Sequence, residues 1–161
     1  MGLGIVIAHG KAAKANPLHV CCLHLRCWDL IEVGAIKRIL LVDDSTDTLI
    51  ALSSILRRRG YQVECASSPE SALHLASHYT FDVVVTDLKM PGMNGIDLLR
   101  RVEGMTPKPR LVLITGYPSE FQSLADRMPK IDAIFIKPFD PGEFVKTISA
   151  FTEVNSHSPA A

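Results

Sequence analysis

The stretch "FDVVVTDLKMPGMNG", Phe81–Gly95, decides how the rest of the chain is read. Val83, Val84 and Val85 are β-branched and apolar without polar alternation, as in a strand covered on both faces. Such strands belong to parallel sheets. Asp87 then arrives at the end of the run, followed by the turn residues Pro91 and Gly92. A carboxylate there either caps the next helix or is a reactive group at the rim of the sheet. Asn94, just before an apolar-periodic segment, serves as a cap. Asp87 is then not needed as the cap, and the rest of the chain decides what it does.

Working outward, the same grammar repeats. "RILLVDD" (38–44) is a short apolar run ending in two acids. "TDTLIALSSILRRRG" places Leu49, Leu52, Ile55 and Leu56 at helical spacing and stops at Gly60. "YQVECA" reads as a second strand, with Cys65 expected to be a buried free thiol. "SPESALHLASH" opens with Ser68 as cap and Pro69 in the first helical turn. "NGIDLLRRVEG" sets Ile96, Leu99 and Val102 on one side; "RLVLIT" is a fourth strand. "PSEFQSLADRM" puts Phe121, Leu124, Ala125 and Met128 on one face, and "DAIFIK" is a fifth strand. "DPGEFVKTISAFT" carries Asp140 and Glu143 in a capping-box arrangement, then Phe144, Ile148 and Phe151. Five strands alternating with five helices predict an α/β fold, a parallel sheet with helices on both faces.

The flanks differ. Residues 1–36 show no clear period and read as a poorly ordered N-terminal tail; residues 153–161 form a polar C-terminal tail. One reading puts the natural start downstream, near Val33, with the tail a misassigned extension. Cys21, Cys22 and Cys27 lie there with His19 and His24, but no CxxC pair occurs and no second cluster closes a zinc site, so they read as reduced bystanders. His74 and His78, four apart, read as a solvated flank, and Met90 and Met93 as packing.

Bulk properties narrow the function classes. With 161 residues and 47% hydrophobic content, the chain has material for one domain with a sizeable core. A formal net charge of zero argues against a whole-surface grip on nucleic acid or anionic membrane. No apolar run approaches the roughly 20 residues that span a bilayer. The expectation is a cytoplasmic protein with no membrane insertion and no direct nucleic-acid binding.

In an open parallel sheet, ligands bind at the carboxyl ends of the strands. Those ends carry Asp43 and Asp44, then Asp87, then Thr115 and Gly116, then Lys137 and Pro138. Close carboxylates repel unless a cation sits among them. Mg2+ suits one or two carboxylates plus water and phosphate oxygens. A carboxylate can then act as nucleophile toward phosphorus, a lysine supplies positive charge, and a threonine hydroxyl donates to a phosphoryl oxygen. Taken singly, an acid of the first pair is as good an N-cap as a ligand, Thr115 a good strand former and Lys137 a solvated charge. Their joint placement carries the reading.

At this point the sequence resembles the receiver domain of two-component response regulators. "ILLVDDS", "VVVTDLKMPGMNGIDLLR", "LVLITGY" and "IFIKPFD" stand in the family order with family-like gaps; the resemblance covers about Ile36 to Thr152 and puts the receiver domain at residues 37–152. It implies a single-domain, flavodoxin-like (βα)5 doubly wound sheet in the order 2-1-3-4-5. It implies Asp87 as phosphoacceptor and Asp44 in direct contact with Mg2+, with Asp43 acting largely through water. The backbone carbonyl of Lys89 would complete the metal site. Thr115 would be the switch hydroxyl and Lys137 the lysine pairing with acid and phosphoryl group. The bond before Pro138 would be cis, and Gly116 would leave room for the donor.

One departure stands out: the position three before the lysine, often Phe or Tyr, is Ile134, and neighbouring Phe135 points to the other face. The resemblance implies phosphorelay partners, namely a sensor histidine kinase or phosphotransfer protein upstream and a target protein downstream. Two other readings compete. A phosphorylation-independent docking module would normally have lost an acid or the lysine. A phosphatase of the haloacid dehalogenase type needs a second Asp two residues after the nucleophile, where Asp43 has Ser45 and Asp44 has Thr46.

Overall fold

The computed structural model describes residues 37–117, 119 and 129–153. The cysteine-rich N-terminal segment, the helix expected over 118–128 except residue 119, and residues 154–161 lie outside these described residues; Glu153, expected to begin the C-terminal tail, ends the last helix instead. Five strands and four helices are described: β1 (Arg38–Val42), α1 (Thr46–Arg57), β2 (Gln62–Ala66), α2 (Pro69–His78), β3 (Val83–Asp87), α3 (Gly95–Val102), β4 (Arg110–Thr115), β5 (Ala133–Ile136) and α4 (Pro141–Glu153). The strands form one parallel sheet in the order β2-β1-β3-β4-β5. This is the flavodoxin-like order expected from the resemblance.

The two-residue period of a strand sorts the core into two layers. Ile39, Leu41, Val83, Val85, Val112, Ile114 and Phe135 face one side and pack on Leu49, Leu52 and Leu56 of α1 and on Phe144, Val145 and Ile148 of α4. Leu40, Val42, Val84, Leu111 and Leu113 face the other and pack on Ala72 of α2 and on Ile96, Leu98, Leu99 and Val102 of α3. Met90 and Met93 join this second layer, as the packing reading expected. β3 is buried along its whole length, which explains its unbroken valine run.

The helix ends follow local chemistry. Ser45 accepts from the Thr48 N–H and caps α1, so neither Asp43 nor Asp44 is spent as a cap. Ser68 and Ser71 form a reciprocal capping box ahead of α2, and Asn94 accepts from the Asp97 N–H to cap α3. Asp140 Oδ1 accepts from the Glu143 N–H at the start of α4. After α1, Gly60 takes φ +87°, a left-handed conformation that favours glycine.

Cys65 is a correction. It was expected to be buried, yet it is exposed. Among the described strands β2 stands at the edge of the sheet, and Cys65, level with Leu41 near its end, is exposed although Val63 on the same face is buried.

Candidate functional site

The parallel register brings the strand ends to one edge of the sheet. Asp87 is level with Ile114, and Thr86 with Val42. Backbone bonds extend the ladder into the loops: the N–H groups of Asp43, Leu88 and Lys137 donate to the carbonyls of Ala66, Ile114 and Thr115 at 3.2, 2.8 and 2.8 Å. Each loop therefore starts from a fixed height, and each polar side chain is aimed by its strand.

Lys137 holds the centre. Its Nζ donates to Asp87 Oδ1 at 2.6 Å and to Asp43 Oδ2 at 2.9 Å. Burial of the ammonium pulls its pKa down, but the hydrogen bonds to Asp87 and Asp43 and their negative charges outweigh that, and the pKa stands above the usual lysine value. The two acids are nearly buried, at 8% exposure for Asp87 and 4% for Asp43. Their remaining oxygens are occupied: Asp87 Oδ2 accepts from the Lys89 N–H at 2.7 Å, and Asp43 Oδ1 from the Ser45 N–H at 2.8 Å.

Asp44 is exposed and lines the same cleft as Asp43, Ser45, Asp87, Lys89, Met90, Pro91, Gly116, Tyr117 and Lys137. At Gly116 an added Cβ would meet open space, which fits a position that admits an incoming group. Thr115 sits behind the cleft, 1% exposed, its Oγ1 accepting from the Tyr117 N–H at 2.9 Å. The Lys137–Pro138 bond is cis, as the resemblance implied. Ile134 is level with Leu113 and Ile136 with Thr115, so both isoleucines share the Thr115 face; Ile134 is 40% exposed. Phe135 points the other way, its ring 5.3 Å from Phe139 and 5.2 Å from Phe144. It is core, and no aromatic side chain fills the position beside Thr115 on β5.

The cleft offers oxygen donors and no thiolate or imidazole, the set a hard cation such as Mg2+ prefers. Among the described residues no three acidic, histidine or cysteine side chains form a ready-made metal cage. Mg2+ does not require one, because it keeps several waters and binds through one or two carboxylates. The residues present fit the ion.

Lys89 and Tyr117 were expected to flank the site; their contact with each other, and the approach of Gly95 to Asp87, were not legible in the sequence. Lys89 Nζ lies 4.3 Å from the centroid of the Tyr117 ring, so the two rim residues touch across the mouth of the cleft. Gly95, the first residue of α3, lies against Asp87: a Cβ there would overlap the Asp87 carbonyl oxygen and crowd Thr86 Cγ2. The glycine in "MNG" was a visible signal, but its partner was not. Thr86, fully buried, adds a hydroxyl bond to that same carbonyl at 3.0 Å. The backbone of Asp87 is thus clamped from two sides.

Known proteins place the chain as a whole in a family and a fold. The family model for the response regulator receiver domain matches residues 39–149. Sporulation initiation phosphotransferase F of Bacillus subtilis is 29% identical, over 75% of this chain and 98% of its own length. The response regulator receiver protein CpdR of Brucella abortus is 31% identical, over 70% of this chain and 93% of its own. Regulatory protein AtoC of Escherichia coli is 35% identical, but there the match spans only 24% of that protein and 68% of this chain. Among solved structures, a CheY-like receiver domain protein from Methanospirillum hungatei superposes with a TM-score of 0.68 at 30% identity, covering 76% of this chain and 98% of that one.

Proposed function

The chain belongs to the response regulator receiver domain family, and from that premise we propose that it accepts a phosphoryl group on Asp87 from a histidine kinase or phosphotransfer protein. In the step proposed, a carboxylate oxygen of Asp87 bonds to phosphorus, the N–P bond of the donor phosphohistidine breaks, and its electron pair stays on the imidazole nitrogen. Asp43, Asp44, Asp87 and the Lys89 carbonyl would hold Mg2+, which when bound offsets charge on the phosphoryl oxygens. A structure of the Thermotoga maritima response regulator TrrA in complex with Mg2+ and a beryllium fluoride, 27% identical over 71% of this chain and 98% of that one, TM-score 0.61, supports Mg2+ as the ion.

The observation that carries the reading is the Lys137 bridge. Its ammonium spans Asp43 and Asp87, two acids from different strands, and is positioned to follow charge as it moves onto the phosphoryl oxygens. Thr115 would then turn its hydroxyl toward the new group, changing the face it shares with Ile134 and Ile136. A target protein would read that face, in the cytoplasm, with an aliphatic residue where relatives often carry an aromatic one. The unit doing this would run over 37–152, with 1–36 and 153–161 as flanking segments. The chemistry is a single transfer onto its own aspartate rather than enzymatic turnover.

The test is intact-mass measurement after incubation with Mg2+ and acetyl phosphate. A labile phosphate adduct that vanishes in Asp87→Asn is the expected result. A folded wild type that stays unmodified with this donor and with phosphorylated kinases would instead favour a docking module that works without phosphorylation.

A further inference from the structure

Outside the lining of the acidic cleft, α2 carries two histidines that the receiver function leaves unused. His74 and His78 are four residues apart on this helix and both exposed. Residues at this spacing stand one above the other on one helix face. Their rings confirm it, with centroids 4.5 Å apart and planes tilted by 38°.

The hydrogen bonds around them fix the proton on one ring. Nδ1 of His78 lies 2.9 Å from the backbone oxygen of His74 and 3.0 Å from Ser77 Oγ. A carbonyl oxygen only accepts, so Nδ1 must be the donor. Ser77 does not compete for that role, because its own hydroxyl hydrogen is given to the same carbonyl at 2.7 Å. The neutral His78 ring therefore keeps its proton on Nδ1 and presents the lone pair of Nε2. A ligating histidine in a metal site is held in the same way, its second nitrogen donating to a backbone carbonyl. The ring nitrogens of His74 make no hydrogen bond among the described residues, so this ring remains available to turn toward its neighbour.

We propose that His74 and His78 form a two-imidazole chelate on α2 that binds a borderline divalent transition-metal ion such as Zn2+ or Ni2+, with Ser77 as the positioning residue. Among the described residues no third acidic, histidine or cysteine side chain joins them. Water or a group from another molecule completes the coordination, and the site is open rather than a closed structural one. Imidazole nitrogen suits Zn2+ and Ni2+ and does not suit Mg2+, which belongs with the oxygen donors of the acidic cleft. The two sites are therefore chemically separate. A bound ion would also staple one turn of α2, because the unfolded chain does not hold the rings together.

Substoichiometric Ni2+ added to the full-length 15N-labelled protein, with excess Mg2+ present to fill the acidic cleft, tests this. The expected result is paramagnetic broadening centred on the amides of Leu73–Tyr79. It should disappear in His74→Gln and in His78→Gln, with the affinity for Ni2+ at this site falling by roughly 10–100-fold or more, the loss seen even when only an outer-shell partner of a metal is removed. Ser77→Ala, which keeps both rings, should weaken it by less. Broadening confined to other parts of the chain, or unchanged in both histidine variants, would overturn the proposal. Loss in Ser77→Ala equal to that in the histidine variants, with α2 amide shifts displaced before metal is added, would also overturn it by marking a helix defect instead of a ligand set.

Discussion

Lys137 Nζ stands 2.6 Å from Asp87 Oδ1, although 50 positions separate the two residues in the chain. The same ammonium reaches Asp43, 94 positions away. One cation thus ties the ends of β1, β3 and β5 together where two nearly buried acids would otherwise repel.

If this bridge serves phosphotransfer, its members fail differently. Asp87→Asn removes the acceptor oxygen and should abolish the adduct. Lys137→Met leaves the acceptor but removes a preorganised positive charge, and should slow adduct formation by roughly 10²–10³-fold, the usual scale for losing one such electrostatic group. Time-resolved intact-mass spectra with acetyl phosphate would measure both. Equal rates for Lys137→Met and wild type would contradict the role given to Lys137.

The bridge also predicts a pH dependence. Burial opposes the charge of Lys137, but the contacts with Asp87 and Asp43 prevail, so its pKa is higher in the folded than in the unfolded protein. A raised pKa contributes stability that is fully present below the unfolded lysine value, about 10.4, and is lost as pH rises through the folded value. In EDTA, the urea midpoint of the wild type should fall more steeply than that of Lys137→Met above about pH 10.4. Parallel curves in this alkaline window would show that the contacts do not outweigh burial.

Gly95→Ala should be among the costliest small substitutions. The added methyl would overlap the Asp87 carbonyl oxygen, which is backbone and has no rotamer to escape through. Overpacking of this kind costs about 1–3 kcal/mol or more, readable as a lower urea midpoint at unchanged slope. Gly116→Ala is the matched control, because its Cβ would meet open space. A Gly95→Ala protein as stable as Gly116→Ala would mean that α3 shifts freely away from Asp87.

Cys65 should react in the native state. Its exposure on an edge strand predicts labelling by iodoacetamide without denaturant, measured by peptide mapping so that the thiols of residues 21–27 are scored separately. Protection of Cys65 until the protein unfolds would restore the buried reading.

How much of this could be read from the chain depends on the range of the interaction involved. The valine run of β3, the caps Ser68 and Asn94 and the stop at Gly60 are local, because strand period, cap chemistry and left-handed φ are decided within a few residues. The same grammar fixed which residues end each strand, and hence that Asp43, Asp44, Asp87, Thr115 and Lys137 share one edge. Side-chain direction was legible too: the two-residue period puts Phe135 opposite Ile134, and its ring lies among Phe139 and Phe144.

Tertiary structure alone decided the rest. Ser45 rather than an acid caps α1, which frees both acids for the cleft, and that choice depends on where the first strand stops. Cys65 looks like a core residue in "YQVECA", but burial depends on what lies across the sheet, and among the described strands β2 has a neighbour on one side only. The contact of Gly95 with Asp87 and the reach of one ammonium to two acids are distances between segments far apart in the chain. Period and propensity carry no information about such distances; they arise only when a parallel register sets every loop at its height along one edge of the sheet.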